Sequence, residues 1–209
     1  MKEAHDYLLI VEDDPDILKL LDAALTFRGY RVITARNGQE GLNAIQVKRP
    51  AIVIADIMMP KLDGFGLVHR IRINPETRDI PVVFITATYV AREDREFALH
   101  IGATRFIQKP VDLEKFLATV EELLEQGMHV VIKPLNELDF YNEYRKRLEA
   151  KLEEKNKQIA RDEHLLETDE DKEDQSLQAS VRHAIHEREE LMLLLDQIHE
   201  QLAKYAKPK

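Results

Sequence analysis

Apolar residues fall into two patterns along this chain. In the first 125 residues, short runs rich in β-branched side chains stand near 7–11, 31–34, 51–55, 81–85 and 104–107. The segments between them, near 15–28, 38–48, 64–73, 91–101 and 112–125, read as helices. Short connections carry turn residues, among them Asn37-Gly38, Asp63-Gly64 and Asn74-Pro75. Strand and helix in alternation predict right-handed crossovers and a parallel sheet covered on both faces. The run at 51–55 is apolar at every residue, as a strand buried on both faces must be. The run at 31–34 is shorter and more polar, which suits an edge.

The predicted class is α/β: a doubly wound, five-stranded parallel sheet in the flavodoxin-like order 2-1-3-4-5. In that order the ligand crevice lies beside strands 1 and 3, where Asp13 and Asp56 stand. The pattern changes after Gly127. Residues 127–135 read as a linker in which Pro134 stops any continuous helix. Residues 136–209 read as two helices joined by an acidic turn at 168–174. The second, about 176–206, has a regular seam of Leu177, Val181, Ala184, Leu191, Leu195, Ile198, Leu202 and Tyr205, interrupted by Arg188. Its alternating spacings of four and three are a heptad signature. The first helix is less regular, with Tyr141, Leu148, Leu152, Ile159 and Leu166 in the seam and Arg145, Lys155 and Asp162 between them. Neither stripe can be buried by one helix alone. The pair either folds back on itself or joins another chain, and a bent pair that also dimerises is the expectation.

Composition narrows the class. The 209 residues contain no cysteine, so disulfides and thiolate metal sites are excluded. No run approaches the roughly 18 apolar residues of a membrane span, and the N-terminus does not read as a signal peptide. A cytoplasmic protein with no membrane contact is expected. The formal charge of −9 argues against non-specific nucleic-acid binding.

Four polar signals each lie just past an apolar run: Glu12-Asp13-Asp14, Asp56, Thr86-Ala87 and Lys109-Pro110. Taken singly, each has an ordinary structural reading as a cap, a turn or a strand residue. Asp14-Pro15 is a good helix start, so Asp14 is left out of the metal set. All four at corresponding strand ends would converge on one edge of a parallel sheet. Magnesium takes hard oxygen ligands and keeps several waters. Asp13 and Asp56 are the expected direct ligands, with Glu12 acting through water. A carboxylate so placed can attack a phosphoryl group and become an acyl phosphate. Lys109 would supply positive charge to the phosphate oxygens, Thr86 a hydroxyl donor, and the small Ala87 an open approach.

These motifs, Val-Glu-Asp-Asp (11–14), Asp-Ile-Met-Met-Pro (56–60) with Asp63-Gly64, Ile-Thr-Ala (85–87) and Phe-Ile-Gln-Lys-Pro (106–110), resemble those of the CheY-like receiver domains of two-component response regulators. The resemblance covers residues 5 to about 125 and makes residues 1–126 a receiver. It implies phosphorylation of Asp56 by a histidine kinase or His phosphotransfer protein. It also implies a third Mg²⁺ ligand in the backbone carbonyl of Met58, a cis Lys109-Pro110 bond, and Phe106 as the switch aromatic beside Thr86. Phe106 replaces a commoner tyrosine, so its ring cannot donate a hydrogen bond. The face that would repack runs from about 90 to 125. Catalysis is not expected beyond the domain's own phosphorylation and dephosphorylation.

The C-terminal helices lack the pattern of a helix-turn-helix, so output through protein contacts or homodimerisation, using residues 90–125 and 136–206, is expected in place of DNA binding. Two alternatives are weighed. One is a phosphotransfer relay through His183, His186 or His199, although the sequence around His183 and His186 lacks the Thr-Pro of the usual histidine-kinase box. The other is a fragment of a longer regulator whose catalytic output domain is lost.

Overall fold

The computed structural model describes residues 7–87, 91–126, 134–168 and 175–206. Five strands form one parallel sheet in the order β2-β1-β3-β4-β5. They are β1 (Tyr7–Val11), β2 (Arg31–Ala35), β3 (Ile52–Ala55), β4 (Val82–Thr86) and β5 (Arg105–Gln108). Helices α1 (Pro15–Phe27), α2 (Gly38–Val47), α3 (Gly64–Ile73), α4 (Arg92–Ile101) and α5 (Leu113–Gln126) follow the strands in turn. This is the expected flavodoxin-like order.

Alternation along each central strand divides the core in two. Leu8, Ile10, Ile52, Ile54, Val83 and Ile85 face the same cluster as Leu21 and Leu25 of α1 and Phe116, Val120 and Leu123 of α5. On the opposite face Phe65 of α3 packs edge-on against Phe84 of β4 and against Phe97 of α4, with ring centroids 5.5 and 5.1 Å away. Strands β1, β3 and β4 are buried at every residue, whereas β2 is mostly open, as the more polar run at 31–34 predicts.

Local chemistry starts the helices. The Asp14 carboxylate accepts from the N–H groups of Asp16 (2.8 Å) and Ile17 (3.1 Å), and Pro15 occupies the first turn. At α2, Asn37 Oδ1 accepts from Glu40 N (3.0 Å) while Glu40 Oε2 accepts from Arg36 N (2.9 Å). That reciprocal arrangement works as a capping box. Asp63 caps α3 through Gly66 N at 2.7 Å.

Two long helices complete the chain, α6 (Glu137–Thr168) and α7 (Gln175–Ala206), each of 32 residues and so about 48 Å long. They pack on each other within the chain. Tyr205 near the end of α7 donates to Glu137 at the start of α6, and Lys155 meets Glu187 at 2.8 Å midway. The pair is therefore antiparallel. Its seam departs from the expected one at a few positions. On α6, Phe140, Tyr144 and Lys151 are buried while Arg145 and Leu152 are only half-buried; on α7, Leu194 is more deeply buried than Leu195. Tyr141, Leu148, Ile159 and Asp162 on α6 and Val181, Ala184, Leu191 and Ile198 on α7 are buried in the expected seam, so the stripe is the expected one widened by a residue on its N-terminal side. A straight helix drifts relative to a 3.5-residue repeat, and Lys151 can lay its aliphatic stem in the seam while its ammonium lies 3.8 Å from Glu154. The expected linker at 127–135 and acidic turn at 168–174 fall largely outside the described residues. The chain divides into two compact units, Met1–Leu135 and Asn136–Lys209. Among the described residues no helix is long and apolar enough to cross a membrane.

Candidate phosphoacceptor site

The sheet itself delivers the site residues, because each ladder continues slightly past its strand. Glu12 N donates to Ala35 O (3.0 Å), Asp56 N to Val11 O (2.9 Å) and Lys109 N to Thr86 O (2.9 Å). Glu12, Asp13 and Asp56 consequently stand together at the carboxyl ends of β1 and β3, with carboxylate oxygens within 4.8 Å of one another. Glu12 and Asp56 are buried and Asp13 is open to solvent. Asp14 is turned away by its capping bonds, which hold its carboxylate below the usual range.

Lys109 closes the cluster. Its ammonium lies 2.5 Å from Asp56 Oδ2 and 3.1 and 3.0 Å from the two carboxylate oxygens of Glu12. The second oxygen of Asp56 accepts from Ile57 N (2.5 Å) and, at 3.4 Å, from Met58 N. Glu12 Oε2, though close to the ammonium, makes no hydrogen bond.

The electrostatics follow from crowding. Burial, and then the neighbouring Asp56 charge, push Glu12 up to about 7 despite the opposing effect of Lys109. Asp13 is raised in the same way, by partial desolvation and then by Asp56 against a backbone hydrogen bond. Burial works against the Lys109 charge, but Asp56 and Glu12 outweigh it and hold the ammonium above the usual lysine value. One cation thus serves two buried carboxylates and a third nearby. The set is short of positive charge and offers only hard oxygen donors. Those properties fit a divalent cation of the magnesium type.

A sequence model of the response regulator receiver domain matches residues 8–121. This chain belongs to that family. The receiver is similar to "Probable transcriptional regulator ycf27" of Pyropia yezoensis, 35% identical over 127 residues, which are 61% of this chain and 51% of that protein. It is also similar to the transcriptional regulatory protein GlrR of Escherichia coli, 38% identical over 127 residues, 60% of this chain and 27% of that one. This chain spans about half the length, or less, of these curated relatives. Among solved structures, the receiver domain of a signal transduction histidine kinase from Syntrophus aciditrophicus superposes with a TM-score of 0.54 at 32% identity, covering 58% of this chain and 91% of that one. The chemotaxis response regulator CheY4 of Vibrio cholerae gives 0.54 at 29%, covering 57% and 99%. Receiver domains generally use Mg²⁺ and act with histidine kinases or phosphotransfer proteins. The family match ends before α6.

The remaining expected residues of the receiver are spread around this centre. Thr86 is buried at the end of β4, tied to Lys109 through its carbonyl. Ala87 beside it is exposed, and Met58 lies half-buried two residues past Asp56. The Lys109-Pro110 peptide is cis. Phe106 sits three residues before Lys109 and lies outside the acid–lysine contact; the Arg95 guanidinium stands over its ring. Two contributors escape sequence reasoning. Ile57 supplies the short N–H bond to Asp56, and no side-chain signal could reveal it. Gly64 reads in the sequence only as a turn residue, but a Cβ there would lie 2.3 Å from the carbonyl oxygen of Asp56 and 2.8 Å from Ile57 Cα. The Asp-Gly pair is therefore also a steric requirement of the site.

Proposed function

We propose that the receiver accepts a phosphoryl group on Asp56 in a two-component phosphorelay. The observation that carries this reading is the clamping of one buried carboxylate between a lysine ammonium and two further acids at the carboxyl edge of the sheet. An Asp56 carboxylate oxygen attacks the phosphorus of a phosphohistidine in line. A P–O bond forms, the P–N bond breaks, and the departing imidazole nitrogen keeps the electron pair and is neutralised by a proton. Lys109 is already placed to meet the new negative charge, and Thr86 offers its hydroxyl from the neighbouring strand end. Glu12, Asp13, Asp56 and the Met58 carbonyl would hold Mg²⁺. The bound ion supplies charge neutralisation at the phosphoryl oxygens.

Output runs through protein contacts of residues 90–125 and 136–206 in the cytoplasm, with residues 1–126 as receiver, 127–135 as linker and 136–209 as the contact module. Two features support this. Residues 136–209 carry 19 acidic and 13 basic side chains, a poor balance for phosphate backbones. The hairpin also leaves Leu138, Leu165, Met192 and Leu193 at least two-fifths exposed, as a protein-binding surface would. His183 and His186 are exposed with Glu187 and Glu190 one turn on, at 3.6 and 3.5 Å. This is ordinary solvated-helix chemistry and gives the relay alternative no special support.

Incubation with acetyl phosphate and Mg²⁺, read by phosphate-affinity electrophoresis, tests the reading. The full chain is expected to gain one retarded, acid-stable and alkali-labile band that Asp56→Asn and EDTA each abolish. A band that persists in Asp56→Asn would place the phosphate elsewhere.

A further inference from the structure

The sequence motifs explain the acids, the threonine and the lysine, but not Arg95. This side chain lies in the first turns of α4, on a helix anchored by its neighbours. Asp94 is fully buried, and Phe97 packs against Phe65 at 5.1 Å. The anchoring carries the Arg95 guanidinium over the Phe106 ring, 5.8 Å from its centroid. That is cation–π distance. Phe106 is half-buried on β5 and lies opposite the buried Phe84 in register. Along the same strand, Gln108 pairs with Thr86 and Lys109 N donates to the Thr86 carbonyl. The ring is thus three residues from the ammonium that holds Asp56.

We propose that Arg95 is a positioning residue which clamps the Phe106 ring in the resting receiver and thereby lowers the affinity of the Asp56 site for phosphoryl-like ligands. The inference rests on Asp56 being the phosphoacceptor. A group added to Asp56 must displace the 2.5 Å contact with Lys109. If Lys109 follows the new charge, the end of β5 that bears both Lys109 and Phe106 is pulled with it, against its backbone bond to Thr86. Coupling between two positions is reciprocal. If occupation of the site draws the ring from under Arg95, loss of Arg95 makes occupation easier. An exposed cation–π contact is worth about a two- to fivefold change in such an equilibrium.

The test uses the full chain with Mg²⁺ and beryllium fluoride, bound ligand being followed by fluorine NMR and the Phe106 ring by selectively labelled phenylalanine. Arg95→Gln is expected to bind about two to five times more tightly than the native chain, with Arg95→Lys in between. The metal-free native chain should show Arg95-to-ring contacts that vanish on binding. Arg92→Gln is the charge control, since Arg92 pairs with Glu96 at 2.8 Å on the same helix, and it should bind as the native chain does. Equal affinities for Arg95→Gln and the native chain, or equal tightening in Arg92→Gln, would overturn the clamp while leaving Asp56 as acceptor. A native chain that binds no beryllium fluoride would overturn the Asp56 reading itself, and the clamp with it.

Discussion

At the scale of single residues, the site is a problem in charge compensation under tight steric limits. Lys109 is the only described cation within reach of both buried carboxylates, and Asp56 is fixed at its other oxygen by the Ile57 N–H. The loop after Asp56 has no spare room. Gly64→Ala would press a methyl group onto backbone atoms of residues 56 and 57, which cannot yield as a side-chain tip can. Overpacking of this kind costs about 1–3 kcal/mol, and a urea unfolding curve should show the loss together with slower labelling by acetyl phosphate. A Gly64→Ala chain as stable as the native one would mean that the loop relaxes freely. The acids, Thr86 and Lys109 were legible in the sequence because each stands just past an apolar run. Gly64 was legible only as a turn, because its close approach to residue 56 depends on how the chain returns over the strand end. Arg72 was not legible at all. It is an arginine in a helix by sequence, yet it is buried, donates to the carbonyls of Arg78, Ile80 and Gly102, and is lowered by burial to about 10.

At the scale of elements, caps and strand burial did most of the specifying. The Asn37–Glu40 box at the start of α2 gives a pH signature. Backbone N–H donation from Arg36, and then the Asn37 amide, hold the Glu40 carboxylate below its ordinary value of 4.5. A depressed acid stabilises the fold when ionised. Its contribution is therefore complete above the unfolded value and fades as pH falls through the lower, folded value. Glu40→Gln should unfold at lower urea concentration than the native chain near pH 7, and the two midpoints should converge in strong acid. A gap that stayed constant into strong acid would show that the carboxylate charge is irrelevant to the cap. The long helices were less legible than the strands. Heptad spacing marked the seam of α7 well, but on α6 the aromatic residues 140 and 144 and the stem of Lys151 displaced the expected Arg145 and Leu152. A regular repeat identifies a stripe, and packing decides which edge of it is buried.

At the scale of the whole chain, two compact units have separate cores. The cluster on the α1/α5 face draws only on residues up to Leu124. A chain cut after residue 126 should therefore still fold and label on Asp56 at a rate within about twofold of the full chain. If residues 136–206 carry the homodimer, light scattering should give a dimer for the full chain and a monomer for the shortened one. A monomer in both would confine the hairpin to contacts with other proteins. The sequence alone determined the alternation of strands and helices, the identity of the acids, threonine and lysine that end the strands, and the existence of two amphipathic helices. Those features are written in local periodicity and in the polar residues that end each apolar run. Only the tertiary structure decided that the helices close on each other antiparallel within one chain, that Lys109 bridges Glu12 and Asp56, and that Arg95 covers Phe106. Each of these joins residues far apart along the chain or on different elements, and a one-dimensional pattern carries no distance between them.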